Sequence, residues 1–219
     1  MNAACLRLYL ATDPDLCAGR DLGTLVEAAL AAGVTLVQLR DKQAGGLVLY
    51  ETACRLRALT RRHGVPLIIN DRVDVMLAAQ ADGVHIGPTD LPLAQIRALA
   101  AGRLVGYSVN TAADLQVAER FGADYIGVGP IFPTATKPDA QGAVGLEGLR
   151  RITASTRLPA VAIGGITPAN CAAVRAAGAA GVCAISAILG TADVAGAVAA
   201  FRQAWESPRS RLAGNPGPG

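Results

Sequence analysis

The chain alternates between two kinds of stretch. Amphipathic runs rich in Ala and Leu end near a glycine. Short runs of Val, Ile and Leu follow, and then a polar loop. The short runs fall at residues 6–11, 35–39, 67–70, 83–86, 104–107, 125–128, 160–163 and 181–184, and their length and content predict strands. The runs between them predict helices over residues 22–32, 47–62, 73–79, 93–100, 112–121, 146–155, 168–177 and 194–205. Gly33, Gly64, Gly83, Gly102, Gly122 and Gly178 each fit the left-handed position that ends a helix. Pro168 suits a first helical position, with Thr167 before it as the cap.

Strands that alternate with helices imply a parallel sheet, and strands apolar on both sides imply a sheet covered on both faces. Eight such units in 219 residues predict a single-domain (β/α)8 TIM barrel over residues 1–206. An open doubly wound sheet is the alternative, but it usually has fewer units, and no GxGxxG follows the first strand. Residues 207–219, with Pro and Gly but little apolar content, are expected to form a disordered tail.

Composition narrows the picture. At 52% hydrophobic and 17% charged, the chain can bury a large core, and with 4% aromatics that core must be Ala, Val, Leu and Ile. A net charge of +3, with arginines scattered and no basic run among aromatics, predicts no nucleic-acid partner. The stretch 176–192 is uncharged but rich in Ala and Gly, so it reads as a helix end and a buried strand, not a membrane span. Cys5, Cys17, Cys54, Cys171 and Cys183 show no metal-ligand spacing, and Arg7, Asp13 and Asp15 spoil any signal peptide. The expectation is a cytoplasmic protein with reduced thiols and no membrane partner.

In this barrel, chemistry sits at the carboxyl ends of the strands. The second strand runs out through Val37-Gln-Leu-Arg-Asp-Lys42, and a period of two puts Gln38, Arg40 and Lys42 on one face. Those side chains suit an anion, or an inter-strand ion pair. The third strand ends Asn70-Asp71, and Asp90 follows the fourth. Two carboxylates there suit Mg²⁺, while each one singly suits a helix cap. The fifth strand ends at Ser108, the seventh at Gly164-Gly165, and the eighth leads into Ile185-Ser186. Small residues after strands seven and eight suit a phosphate. His85, in the fourth strand, reads as a satisfied core residue, and no Ser/His/Asp triad is present.

The sixth strand opens into Gly129-Pro-Ile-Phe-Pro-Thr-Ala-Thr-Lys-Pro138, stiffened by Pro130, Pro133 and Pro138. Thr134 and Thr136 stand beside Lys137. Of 20 Lys+Arg only Lys42 and Lys137 are lysine, and both fall in loops after strands. A chain that otherwise uses Arg has a compact point charge at these two places.

Taken together, Val37–Lys42, Asn70-Asp71, Gly83-Val-His-Ile-Gly87 with Asp90, Gly129–Lys137 and Ala162-Ile-Gly-Gly-Ile166 resemble the thiamine-phosphate synthase family, in order along residues 6–205. The resemblance implies a (β/α)8 transferase that joins a hydroxymethylpyrimidine diphosphate to a hydroxyethylthiazole phosphate. It implies Gln38, Arg40, Lys42, Asn70, Ser108 and Lys137 at the pyrimidine diphosphate, with Arg40, Lys42 and Lys137 stabilising the departing charge. Asp71 and Asp90 would hold Mg²⁺. Thr134, Ala135, Thr136, Gly165, Ile185 and Ser186 would hold the thiazole phosphate. The chain departs from the family at Asn110, where His is frequent. A thiazole tautomerase of the same family and a catalytically silent phosphate-binding barrel are the rival expectations.

Overall fold

A computed structural model describes residues 3–134 and 143–207. Eight parallel strands close into a barrel in sequence order: β1 (Leu8–Ala11), β2 (Leu36–Leu39), β3 (Leu67–Asn70), β4 (Gly83–Ile86), β5 (Leu104–Ser108), β6 (Tyr125–Val128), β7 (Ala160–Ile163) and β8 (Gly181–Ala184). The closing pair sets Leu10 against Ala184. The helices are α1 (Leu22–Ala32), α2 (Gly46–Arg62), α3 (Val73–Ala78), α4 (Leu93–Leu99), α5 (Ala112–Arg120), α6 (Gly145–Ala154), α7 (Cys171–Ala176), α8 (Ser186–Leu189) and α9 (Val194–Glu206). Residues 208–219, which carry most of the expected tail, lie outside the described residues. Among the described residues, no helix is long and apolar enough to cross a membrane.

Strand parity divides the core in two. Leu8, Leu10, Val37, Leu39, Ile69 and Val84 face outward and pack with the helices. Tyr9, Ala11, Leu36, Ile68, Tyr125, Val161 and Cys183 face inward and fill the barrel. The outer cluster is the larger, so the helix–sheet seam supplies most of the hydrophobic stabilisation. Short side chains set up the helices: Asp21 accepts from Thr24 N at 2.8 Å, Thr111 and Asp114 form a capping box on α5, and Asp193 accepts from Gly196 N at 2.8 Å.

The amino ends of the strands are tied by a repeated device. Asp82, just before β4, accepts from Leu67 N at 2.8 Å, and Asp124, just before β6, accepts from Val105 N at 2.7 Å. Each carboxylate therefore pins the neighbouring strand at the face opposite the site, and Arg57 and Arg97 pair with them.

Two expectations need correction. Gly83 does not end a helix; it opens β4, where a Cβ would stand 2.3 Å from Leu104 O, so close strand packing demands it. Gln80, at φ 53°, takes the left-handed turn after α3 instead. The seventh helix begins at Cys171, not Pro168, because Asn170 accepts from Thr167 N at 2.9 Å and donates to Gly165 O, which holds residues 168–170 in a turn. Thr167 is no cap. The glycine reading does hold at Gly33, Gly64, Gly102, Gly122 and Gly178, all left-handed.

Candidate active site

The carboxyl end of the barrel opens into a cavity of about 740 Å³. Gln38, Arg40, Lys42, Asn70, Asp71, Asp90, Ser108, Thr134, Gly165, Ile185 and Ser186 all line it. Ala135, Thr136 and Lys137 lie outside the described residues.

On β2, parity works as the sequence implies. Gln38 is buried and donates from Nε2 to the Tyr9 hydroxyl at 2.6 Å. Arg40 is anchored by its backbone: its N–H donates to Thr12 Oγ1 at 2.9 Å, and Thr12 Oγ1 donates back to Arg40 O at 3.1 Å. The guanidinium meets Asp13 at 3.5 Å, with both side chains largely covered. An ion pair is thus part of the answer for Arg40, but not all of it. Among the described residues its Nε is buried with no hydrogen-bond partner, and an unspent donor in that position leaves a charged group short of an acceptor.

The carboxylates beyond β3 and β4 do not cap their helices. The cap positions of α3 and α4 are Arg72 and Pro92, and neither makes a side-chain cap bond. Asp71 instead shares a hydrogen bond with Asp90, and burial, with the Asp90 charge next, pushes its pKa up to about 6; Lys42 and Asn70 pull the other way. Asp71 holds its left-handed backbone, φ 60°, while its N–H donates to His85 O at 2.9 Å. Asp90 accepts from Gly87 N at 2.7 Å. Positive φ outside glycine is uncommon, and here it turns a carboxylate toward its neighbour.

Across the cavity, the opening loop lies directly on the β7 turn. Ile131 N donates to Ile163 O at 2.9 Å and Phe132 N to Gly164 O at 3.1 Å. Gly164 and Gly165 are both left-handed, and a Cβ on Gly165 would stand 2.7 Å from Phe132 Cβ and from Pro133 O. Only glycine permits both the turn and the contact. The short helix α8 follows β8, with Ile185, Ser186 and Ala187 against the cavity. Asn110 also lines it; with its amide nitrogen turned inward it donates to Gly129 O at 2.6 Å and to Val109 O at 3.1 Å. In that orientation Asn110 ties the loop after β5 to the end of β6.

Sequence reasoning missed Tyr9, Thr12 and Tyr125. His85 is indeed satisfied, but at the floor of the site: its ring nitrogens lie 3.1 Å from the Tyr125 hydroxyl and 3.1 Å from Ser108 Oγ. The usable signal was parity. Tyr9, His85 and Tyr125 all hold inward positions, and a buried phenol needs a polar partner.

A closed barrel with cationic side chains and an acid pair at one side of its mouth, and a glycine turn at the other, defines an enzyme of phosphorylated small molecules. Residues 8–188 match the family described as thiamine monophosphate synthase. The thiamine-phosphate synthase of Chloroflexus aurantiacus is 50% identical over 196 residues, 90% of this chain and 91% of that protein. That of Syntrophomonas wolfei is 45% identical over 200 residues, 91% and 96% of the two chains. The solved thiamine phosphate pyrophosphorylase of Pyrococcus furiosus superposes with a TM-score of 0.86 at 39% identity, covering 93% of this chain and 97% of its own. The chain belongs to the thiamine monophosphate synthase family.

Proposed function

We propose that this barrel joins 4-amino-2-methyl-5-hydroxymethylpyrimidine diphosphate to 4-methyl-5-hydroxyethylthiazole phosphate, giving thiamine monophosphate and diphosphate. The observation that carries the reading is the pairing of two anion sites in one cavity. One has Arg40 with an unspent buried donor, Lys42 and the acid pair; the other has Gly165 and Ser186.

In this reading the diphosphate lies between β2 and the acid pair. Arg40 and Lys42 meet its oxygens, and Lys137 is assigned the same task from the family motif. Preorganised donors aimed at departing charge are often the largest contribution to catalysis. As the C–O bond breaks, electron density moves to the diphosphate and leaves a methylene cation conjugated with the aminopyrimidine. The thiazole nitrogen attacks with a lone pair it already holds, so no general base is needed. Thr134, Gly165, Ile185 and Ser186, with Ala135 and Thr136 from the motif, hold the thiazole phosphate, which stays unreacted. Asn70 and Ser108 face the pyrimidine end.

Asp71 and Asp90 fit a Mg²⁺ ion. They share a hydrogen bond and cap nothing, and Asp71 holds its proton more tightly than a lone carboxyl would, which marks a place short of positive charge. Among the described residues no group of three or more His, Cys, Asp or Glu could form an all-protein cage. Mg²⁺ favours just such a site, with one or two carboxylates, waters and substrate phosphates. When bound, it would neutralise charge on the leaving diphosphate. The five free thiols suit a reducing cytoplasm, and the partners are the two small substrates.

The test is product formation from the two substrates across a Mg²⁺ titration. Thiamine monophosphate and diphosphate should appear in equal amounts and only with the metal. Isomerised thiazole phosphate with no coupled product would sink the synthase reading in favour of the tautomerase, and tight phosphate binding with no chemistry would favour the silent barrel.

A further inference from the structure

Beneath the cavity a line of five side chains crosses the barrel interior. Gln38 Nε2 donates to Tyr9 OH at 2.6 Å; Tyr9 OH meets Tyr125 OH at 3.1 Å; Tyr125 OH meets His85 Nδ1 at 3.1 Å; His85 Nε2 meets Ser108 Oγ at 3.1 Å. Both ends line the cavity, and both tyrosines are almost wholly buried. The barrel is hollowed for this line. A Cβ on Gly106 would stand 2.3 Å from His85 Nδ1 and 2.5 Å from the Tyr125 oxygen, and one on Gly127 would stand 3.0 Å from His85 Cε1.

Such a line has one proton per link, so its direction is set as a whole. Burial raises the pKa of both phenols, so each keeps its proton and has one to give. Because Tyr9 accepts from the Gln38 amide, its own proton goes to Tyr125. The Tyr125 proton then goes to His85 Nδ1. A neutral imidazole that accepts at Nδ1 carries its hydrogen on Nε2 and donates it to Ser108. Ser108 is left to donate into the cavity, while Gln38, with its nitrogen held on the Tyr9 side by one N–H, keeps Oε1 as its acceptor.

We infer that Tyr9, Tyr125 and His85 are positioning residues that fix Gln38 as acceptor and Ser108 as donor, and so select a 4-aminopyrimidine over its 4-oxo counterpart. The inference rests on the pyrimidine substrate proposed above. A 4-aminopyrimidine offers an N–H donor at C4 and lone pairs on its ring nitrogens, which complement an acceptor on β2 and a donor on β5. A 4-oxo ring offers an acceptor at C4 and an N–H beside it, which places acceptor against acceptor. The reversed line would present the opposite pair and favour the oxo ring. Sites built on such hydrogen bonds reject a mismatched analogue far more strongly than apolar pockets do, because the buried group is left unpaired.

Two measurements test this. In ¹⁵N-histidine spectra of the wild type, with His63→Gln used to assign the second histidine, His85 should carry its proton on Nε2. A proton on Nδ1 would overturn the direction, whatever the substrate. Second, kcat/KM is measured for the 4-amino and 4-oxo pyrimidine diphosphates in wild type, Tyr125→Phe and Gly106→Ala. The wild type should favour the amino substrate by at least about a hundredfold. Both variants, one removing the middle hydroxyl and the other crowding it, should lower that ratio about tenfold or more. An equal fall in kcat/KM for both substrates, with the ratio kept, would show that the line is only structural. A wild type that makes no product from the amino substrate would sink the functional reading and the selectivity with it, and leave the histidine tautomer to decide the direction alone.

Discussion

Replacing Asp71 with Asn should make the protein harder to unfold at pH 8. The folded-state pKa of Asp71 is pushed up to about 6 from an ordinary 3.8, by burial first and the Asp90 charge second. The sign follows from proton binding. Between these values the folded state holds more protons than the unfolded one, so stability is greatest near pH 4 and below, falls as pH rises toward about 6, and is flat above. A rise of about two units corresponds to about 3 kcal/mol at pH 8. Asp71 is only half-buried, and water screening brings the expected value to about 1–2 kcal/mol. Asn imitates the protonated carboxyl at every pH, and it tolerates the left-handed backbone at this position, so no new strain arises. Urea unfolding without divalent ions is the assay. The variant should exceed wild type by about 1–2 kcal/mol at pH 8, or a few degrees in Tm, and by roughly half as much at pH 5. Adding Mg²⁺ should stabilise wild type and not the variant. A variant less stable than wild type at pH 8, or a gap that does not narrow at pH 5, would refute the account of why this carboxyl is strained.

Three further outcomes can be checked. Thr12→Val removes both bonds that anchor the Arg40 backbone, should cost about 1–3 kcal/mol, and should lower kcat/KM for the pyrimidine diphosphate more than for the thiazole phosphate; equal losses on both would count against Arg40 as a local diphosphate ligand. Gly165→Ala forces a methyl against Phe132 and Pro133 at a left-handed position, should destabilise by about 1–3 kcal/mol in a urea titration, and should chiefly raise KM for the thiazole phosphate; an unchanged KM would detach this turn from the site. Lys137→Ala should lower the single-turnover rate by about 10²–10³, with Lys137→Arg recovering part of it, and a wild-type rate in the alanine variant would end the assignment of this lysine to the diphosphate.

The barrel was legible because its two periodicities are written along the whole chain. Strands over 67–70, 83–86, 125–128, 160–163 and 181–184 coincide with the observed β3, β4, β6, β7 and β8 residue for residue. Charged and polar ends such as Arg40, Lys42 and Asn70 were legible for a related reason: a strand that turns polar on its inward parity has left the core. What could not be read was anything set by contact between distant strands. Gly83 looks like the glycine after any helix until Leu104 O is found against it. Pro168 looks like a first helical residue until the Asn170 side chain is found bonded back to Thr167 N and Gly165 O. Tyr9 and Tyr125 lie 116 positions apart, and each alone is an ordinary apolar strand residue. That Asp71 meets Asp90 and caps no helix likewise depended on the pairing of β3 with β4.

Gly106 and Gly127 carry a consequence for how this enzyme can be altered. Neither has a functional group to lose, yet each holds open the room in which the His85 and Tyr125 side chains meet. In a saturation library scored by thiamine production, both would register as sensitive as a ligand residue and be mistaken for one. Their sensitivity would have a different shape: every substitution adds atoms, so harm would grow with side-chain size and ignore charge. A second change that shrinks a neighbour could restore growth at Gly106, whereas no neighbour can lend Arg40 back its guanidinium. Where reversion by compensation is found, the lesion was one of volume, and a genetic screen can tell the two kinds of site apart without a substrate ever being bound.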